Sequence, residues 1–367
     1  MTYQRHRATV SRCVLLATLS LTAACSTLAT DDALKIDTGS SKQDLTRVLP
    51  GSMTEQTNDR KTASTSAPGT LTNKESKSQA QQSILRTRQT GNIKNATLTE
   101  LSGLSASRST PGVLFAINDG GNSATLFAIS ETGDHLGSWP IAATNRDWED
   151  MASMQINGTP YLVIGDTGNN QLIDIKSRLI FVAEPSLDTA TDEILVPDFE
   201  IAFTYVDGPK NVEAFAIDNR TVLLISKEPV TPSGPAPSHL YALNIPANPL
   251  QDKPPVARKI ATLPMLGDSF ESRIVAAATG IDLNHPTALD LDLASNTAYL
   301  LTYRNVLEFR KARASTWAQA FSGDYERIHS HRLEQAEALA VSPGRAVWIT
   351  SENQSPPLWA IPVVPPS

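Results

Sequence analysis

A motif pair repeated five times across the last 275 residues constrains this chain more than any other feature. Each copy opens with a short apolar segment headed by an acid or a hydroxyl. A second apolar segment follows and ends in a polar turn. The copies read LSGLSAS and LFAINDGG, WEDMASM and LVIGDTGN, VEAFAID and LLISKEP, TALDLDL and YLLTYRN, AEALAVS and VWITSEN. The opening positions are Ser102, Glu149, Glu213, Thr287 and Glu337, and the closing positions are Asp119, Asp166, Glu228, Arg304 and Glu352. Successive copies start 47, 64, 74 and 50 residues apart. Short runs of β-branched and aromatic residues between turn signals mark strands. An imperfect period of this length, carried by strands, predicts a β-propeller.

The first copy shows the unit in full. Turn sequences at 108–112, 118–121 and 131–134 separate four apolar segments within about 45 residues, the size of one four-stranded blade. The last copy supplies only three strands before the chain ends, and residues 93–99 are expected to supply the fourth. Joining N- and C-terminal strands in one blade closes the ring and removes free sheet edges. The predicted fold is therefore all-β, a propeller of five to six blades spanning 93–367. Five copies are visible, but the length at about 45 residues per blade holds six. Analogy leans to six, with a degenerate blade around 257–280. The proline-rich segments 229–237 and 246–255 read as loop insertions.

The start of the chain has a different character. Arg5, Arg7 and Arg12 precede an apolar run over 14–24 that ends in small residues before Cys25. A basic start, a run too short to span a bilayer and a small-residue cleavage site describe a signal peptide over 1–24. Leu21-Thr22-Ala23-Ala24-Cys25 resembles a bacterial lipobox, which implies cleavage before Cys25 and a lipid on its thiol. On that reading the protein is held at the cell envelope, facing the periplasm or the exterior. In a Gram-negative host Ser26 after the cysteine implies the outer membrane. Residues 25–92 are rich in Ser, Thr, Gln and Lys and poor in aromatic side chains, and are expected to be a flexible tether. The only cysteines are Cys13 and Cys25, so the propeller region has no disulfide and no cysteine-based zinc site.

Charge narrows the partners. Residues 93–367 carry 19 Lys and Arg against 31 Asp and Glu, a net of −12. Nucleic-acid binding depends on neutralising phosphates with basic side chains, so no nucleic-acid partner is expected. The expected partners are the membrane, through the lipid, and an envelope protein or small ligand, with the protein itself a monomer. In a propeller the first strand of each blade lines the channel, so Glu149, Glu213 and Glu337 should converge near the axis. Oxygen ligands without cysteine or clustered histidine suit Ca²⁺ or Mg²⁺. These three glutamates are the candidate metal ligands, with Ca²⁺ the expected ion. Asp119 and Asp166 are candidate catalytic bases, although their Asp-Gly-Gly and Asp-Thr-Gly contexts also suit turn-capping carboxylates. Arg146, Asp147, Trp148 and Asp150, from the densest polar cluster in the chain, are candidate ligand-binding residues, with Trp148 also suited to core packing. His329 and His331 alternate on one predicted strand face. No nucleophile elbow, zinc-protease motif or phosphate-binding glycine loop is present.

ELSGLSASRSTPGVLFAINDGGNSATLFAI, ATNRDWEDMA, YLVIGDTGNN and QAEALAV with TSEN resemble secreted bacterial β-propeller proteins of uncharacterised function. That group is loosely similar to the phytase-like, esterase-like, NHL and gluconolactonase-like propellers. The resemblance covers roughly 96–365 and implies a divalent ion held by channel carboxylates. It leaves two functional readings. One is a lipid-anchored propeller that binds a ligand or envelope partner at its channel face. The other is a metal-dependent hydrolase of phosphate or carboxylic esters. The chain lacks the basic cluster that a polyphosphate substrate would need.

Overall fold

The computed structural model describes residues 86–189, 193–247, 253–267 and 269–363. They form five four-stranded antiparallel blades. The first blade is β2 (Leu101–Ala106), β3 (Val113–Asn118), β4 (Thr125–Ser130) and β5 (His135–Pro140). The second is β6 (Trp148–Ile156), β7 (Thr159–Asp166), β8 (Ser177–Ala183) and β9 (Phe199–Tyr205). The third is β10 (Val212–Asp218), β11 (Thr221–Ser226), β12 (His239–Asn244) and β13 (Val256–Thr262). The fourth is β14 (Pro286–Asp292), β15 (Thr297–Thr302), β16 (Asn305–Arg310) and β17 (Glu326–Ser330). The fifth is β18 (Ala336–Ser342), β19 (Ala346–Ser351), β20 (Pro357–Pro362) and β1 (Arg88–Asn92). A short parallel pairing of Thr204 and Tyr205 with Val256 and Ala257 joins the outer strands of blades two and three.

The blades stack face to face, and the core lies between them. Five hydrophobic clusters, one at each blade-to-blade boundary, run round the ring. Second strands are therefore covered on both faces, which explains why VLFAI, VLLI and AVWI read as unbroken apolar runs rather than as alternation. The tight hairpins lie at the face opposite the site. Asn157-Gly158 takes φ of 51° and 86° between β6 and β7, and Asn219 takes 55° between β10 and β11.

The structure differs from the sequence expectation in two places. There is no sixth blade among the described residues. The stretch expected to hide one forms β13 and a helix, α1 (Phe270–Thr279), capped by the Ser269 side chain at its start and by Gly280 in the left-handed region at its end. The closing strand is β1 at 88–92, within the segment read as tether, and not 93–99. Residues 93–99 instead form a connection that sends Ile93 and Leu98 into the core between blades five and one. An outer strand is covered on one side only, so Arg-Gln-Thr-Gly-Asn needs no apolar run to hold its place.

Candidate functional site

The five inner strands share one irregularity. Each has a β-bulge near its start, and the residue left out of the pairing is Ser102, Glu149, Glu213, Thr287 or Glu337. A bulge re-aims the extra side chain and is common beside functional sites. The repeated opening residue of the sequence motif is thus the residue that the fold releases from its sheet.

The hydroxyl members join neighbouring blades. Ser102 Oγ donates to the Glu149 carbonyl at 2.6 Å and the Trp148 carbonyl at 3.0 Å, and Thr287 Oγ1 donates to the Ala336 carbonyl at 2.7 Å. The acidic members meet a second ring, formed by the residue just after the paired end of each second strand. The paired ends are Asn118, Asp166, Ser226, Thr302 and Ser351, so the second ring is Asp119, Thr167, Lys227, Tyr303 and Glu352. The closing positions of the sequence motif match this ring at Asp119 and Glu352 and fall one residue out of register at Asp166, Glu228 and Arg304.

Two carboxylate sets form where these rings meet. Asp119, Glu337 and Glu352 offer oxygens within 4.8 Å of one another, and so do Asp119, Asp147 and Glu149. Asp119 belongs to both sets. Two glycines make room for them. A Cβ on Gly168 would lie 2.2 Å from Glu149 Oε1 and 2.4 Å from Asp147 Oδ2, and one on Gly120 would lie 2.6 Å from Asp147 Oδ1. The glycines of Asp-Gly-Gly and Asp-Thr-Gly that face the carboxylates are needed for close approach. Of Gly120, Gly121 and Gly168, only Gly121 has a positive φ, at 83°.

The other side of the mouth carries a fixed counter-charge. Lys227 Nζ lies 2.6 and 2.5 Å from the two Glu213 oxygens and 3.1 Å from Tyr303 Oη, which in turn donates to Glu337 Oε1 at 3.2 Å. Asn211 Nδ2 donates to Glu213 as well. Burial alone would lower the Lys227 pKa, but the adjoining Glu213 carboxylate reverses this and holds the ammonium well above its usual range. Burial also keeps the Tyr303 phenol protonated. His285 donates from Nε2 to the Glu228 carbonyl at 2.8 Å and ties this loop to the next blade.

Of the predicted metal ligands, Glu149 and Glu337 thus join different sets, while Glu213 belongs to Lys227. The three do not form one coordination sphere. Sequence reasoning missed Lys227 and Tyr303 altogether. The available signal was a small polar residue at each second-strand end, with the ring residue immediately after it.

The other candidates divide by burial. Asp166 is fully buried and accepts from Arg146 Nε at 3.0 Å, Arg178 Nε at 2.7 Å and the Asp147 N–H at 3.0 Å. Two guanidiniums and an amide occupy it, so it is an anchor for Asp147 rather than a catalytic base. Arg146 is held in the same pairing and is not a ligand clamp. Trp148 is fully buried in the core between blades one and two.

Asp150 lies inside the channel. Its carboxylate accepts from the Met151, Phe215 and Leu289 amides at 2.8, 2.9 and 3.1 Å, which links the inner strands of blades two, three and four. Asp290 does the same for blades four and five through Leu291 and Val341. Inner strands leave one edge unpaired, and these acids satisfy the exposed amides. Burial pushes the Asp150 pKa well up and that of Asp290 up to about 6. Only Asp147 of the predicted ligand-binding group reaches the mouth.

No protein-family profile matches the sequence, and no curated protein matches it. Solved structures with similar architecture include the PQQ-bound aldose sugar dehydrogenase of Streptomyces coelicolor, at TM-score 0.44 and 10% identity over 75% of this chain and 97% of that one. An oxidoreductase (glucose dehydrogenase) from Thermus thermophilus follows, at 0.39 and 8% over 75% and 99%. A Trichoderma reesei enzyme of Carbohydrate-Active Enzymes Family AA12 gives 0.39 and 9% over 76% and 96%. At these scores the likeness identifies no ligand for the present chain.

Proposed function

We propose that this protein is an envelope-anchored propeller that binds a divalent cation of the Ca²⁺ class at its channel mouth. The ion would present an oxygen-rich ligand or partner to the site. The observation that carries the reading is the convergence of Asp119, Asp147, Glu149, Glu337 and Glu352 into two oxygen-only sets sharing Asp119. Like charges this close repel, and a hard divalent cation relieves the repulsion while using carboxylate oxygens as ligands. The glycine cradle at Gly120 and Gly168 fits the same purpose, because it lets carboxylates from two blades meet. Lipidation of Cys25, which lies outside the described residues, would supply the anchor.

Titration calorimetry of the chelator-treated protein with Ca²⁺ and Mg²⁺ tests the reading. Saturable binding that Asp119→Asn abolishes is expected. Absence of heat and of any melting shift at millimolar Ca²⁺ would refute it.

A further inference from the structure

A pair of histidines outside the carboxylate sets lies at the boundary between blades four and five. His329 is the next-to-last residue of the outer strand β17, opposite Val306, and His331 lies just past the strand's end, with its N–H bound to the Arg304 carbonyl at 2.9 Å. Residues two apart on an extended segment project to the same side. The two imidazoles accordingly face one another, with ring centroids 6.4 Å apart and planes at 29°. Trp359 of β20 continues the row, its ring 6.3 Å from His329. Neither ring nitrogen of His331 makes a hydrogen bond of good geometry among the described residues, and neither does the Trp359 indole nitrogen, although all three atoms are buried. The Thr302 carbonyl is a backbone hydrogen-bond partner of the His331 ring at looser geometry, and the Arg304 side chain acts on it through its charge.

A buried imidazole without a well-formed hydrogen bond forgoes much of the interaction that usually compensates its burial. A metal ion supplies a partner, because neutral imidazole is a ligand through its nitrogen lone pair. Imidazole without carboxylates or thiolates suits borderline transition metals and not Ca²⁺. We propose that His329 and His331 form a two-imidazole chelate for a divalent transition ion, Cu²⁺ foremost, at the boundary between blades four and five. Chelation requires the rings to turn from this stacked arrangement until a nitrogen of each points at one ion, with solvent completing the coordination on the His329 side. Trp359 lies against the chelate and reports its occupation. The site shares no residue with the carboxylate mouth, so the two ions divide by ligand chemistry.

The test uses the full chain and Cu²⁺, read by tryptophan fluorescence and by electron paramagnetic resonance. One equivalent of Cu²⁺ should quench fluorescence, and the resonance spectrum should show two coordinated nitrogens. His329→Ala and His331→Ala should each abolish both signals, while Trp359→Phe should lose most of the quench and keep the nitrogen spectrum. His331→Gln serves where the alanine variant fails to fold. Asp119→Asn should leave copper binding unchanged. Equal copper affinity in wild type and both alanine variants, loss in only one of them, or an oxygen-only spectrum would each overturn the chelate. None of those results bears on Ca²⁺ at the mouth.

Discussion

Lys227 decides the electrostatics of the site at the scale of single residues. It stands at a ring position held elsewhere by Asp119, Thr167, Tyr303 and Glu352, and its ammonium is bonded to both oxygens of the buried Glu213. Removing one member of a buried pair leaves the other charge uncompensated, whereas removing both is far milder. Lys227→Met should therefore cost about 3 kcal/mol in urea denaturation, and Lys227→Met with Glu213→Gln should recover most of it. A double variant no more stable than the single one would show that Glu213 does not depend on Lys227. Gly168 allows a complementary experiment. Its missing Cβ is the space in which Glu149 and Asp147 approach, so Gly168→Ala should lower Ca²⁺ affinity at least tenfold in calorimetry with little change in far-ultraviolet circular dichroism. Unaltered affinity would remove the cradle from the site. These residues also mark how far the sequence could be read. Glu149, Glu337 and Asp119 stand out as acids at repeated positions. Lys227 and Tyr303 share their ring but not their chemistry, so a search for like residues passes over them.

Among the elements, the inner strand is the unit that makes the site. Its bulge frees one side chain per blade, and the next residue on the same strand is buried in the ring's interior. Most of those are small, as in Gly103, Ala214, Ala288 and Ala338, and Asp150 takes the remaining place. The strand pairs were legible because each carries an apolar run between turn signals, and that repeat alone specifies a propeller. The number of blades was not, because insertion length and blade length look alike in sequence. Ser269 to Gly280 is a capped helix in a stretch long enough for a blade. The strand β1 was hidden for a different reason, since it pairs on one edge only and needs no apolar face. It nonetheless closes the ring through pairs such as Arg88 with Ala360 and Asn92 with Pro357. Deleting 88–92 should expose the β20 edge, broaden the unfolding transition and promote aggregation, as unpaired edges do. A sharp, unshifted thermal transition in the deletion variant would show that the ring does not need this strand.

For the whole molecule, the channel acids and the mouth acids give stability two independent dependences. Asp290 bridges blades four and five inside the ring, and burial raises its pKa from 3.8 to about 6. The folded protein therefore binds a proton at this site more tightly than the unfolded chain does. The resulting stabilisation is fully present below about pH 4 and is lost as pH rises through about 6; it amounts to about 3 kcal/mol for a shift of about two units at 1.36 kcal/mol each. Asp150 acts in the same direction. Ca²⁺ acts separately, because ion bound only by the folded protein stabilises it by about 2.7 kcal/mol at a hundredfold excess over Kd. The two effects can be told apart in one set of urea titrations. Without Ca²⁺, the stability of wild type relative to Asp290→Asn should fall between pH 4.5 and pH 7, because the opposite contribution of His331, whose pKa burial lowers to about 4, is common to both and cancels. With Ca²⁺ at pH 7, wild type and Asp290→Asn should gain equally, since Asp290 belongs to neither carboxylate set. A pH slope unchanged in Asp290→Asn would locate the proton elsewhere, and a lost Ca²⁺ increment would mean that the channel and its mouth are one coupled site.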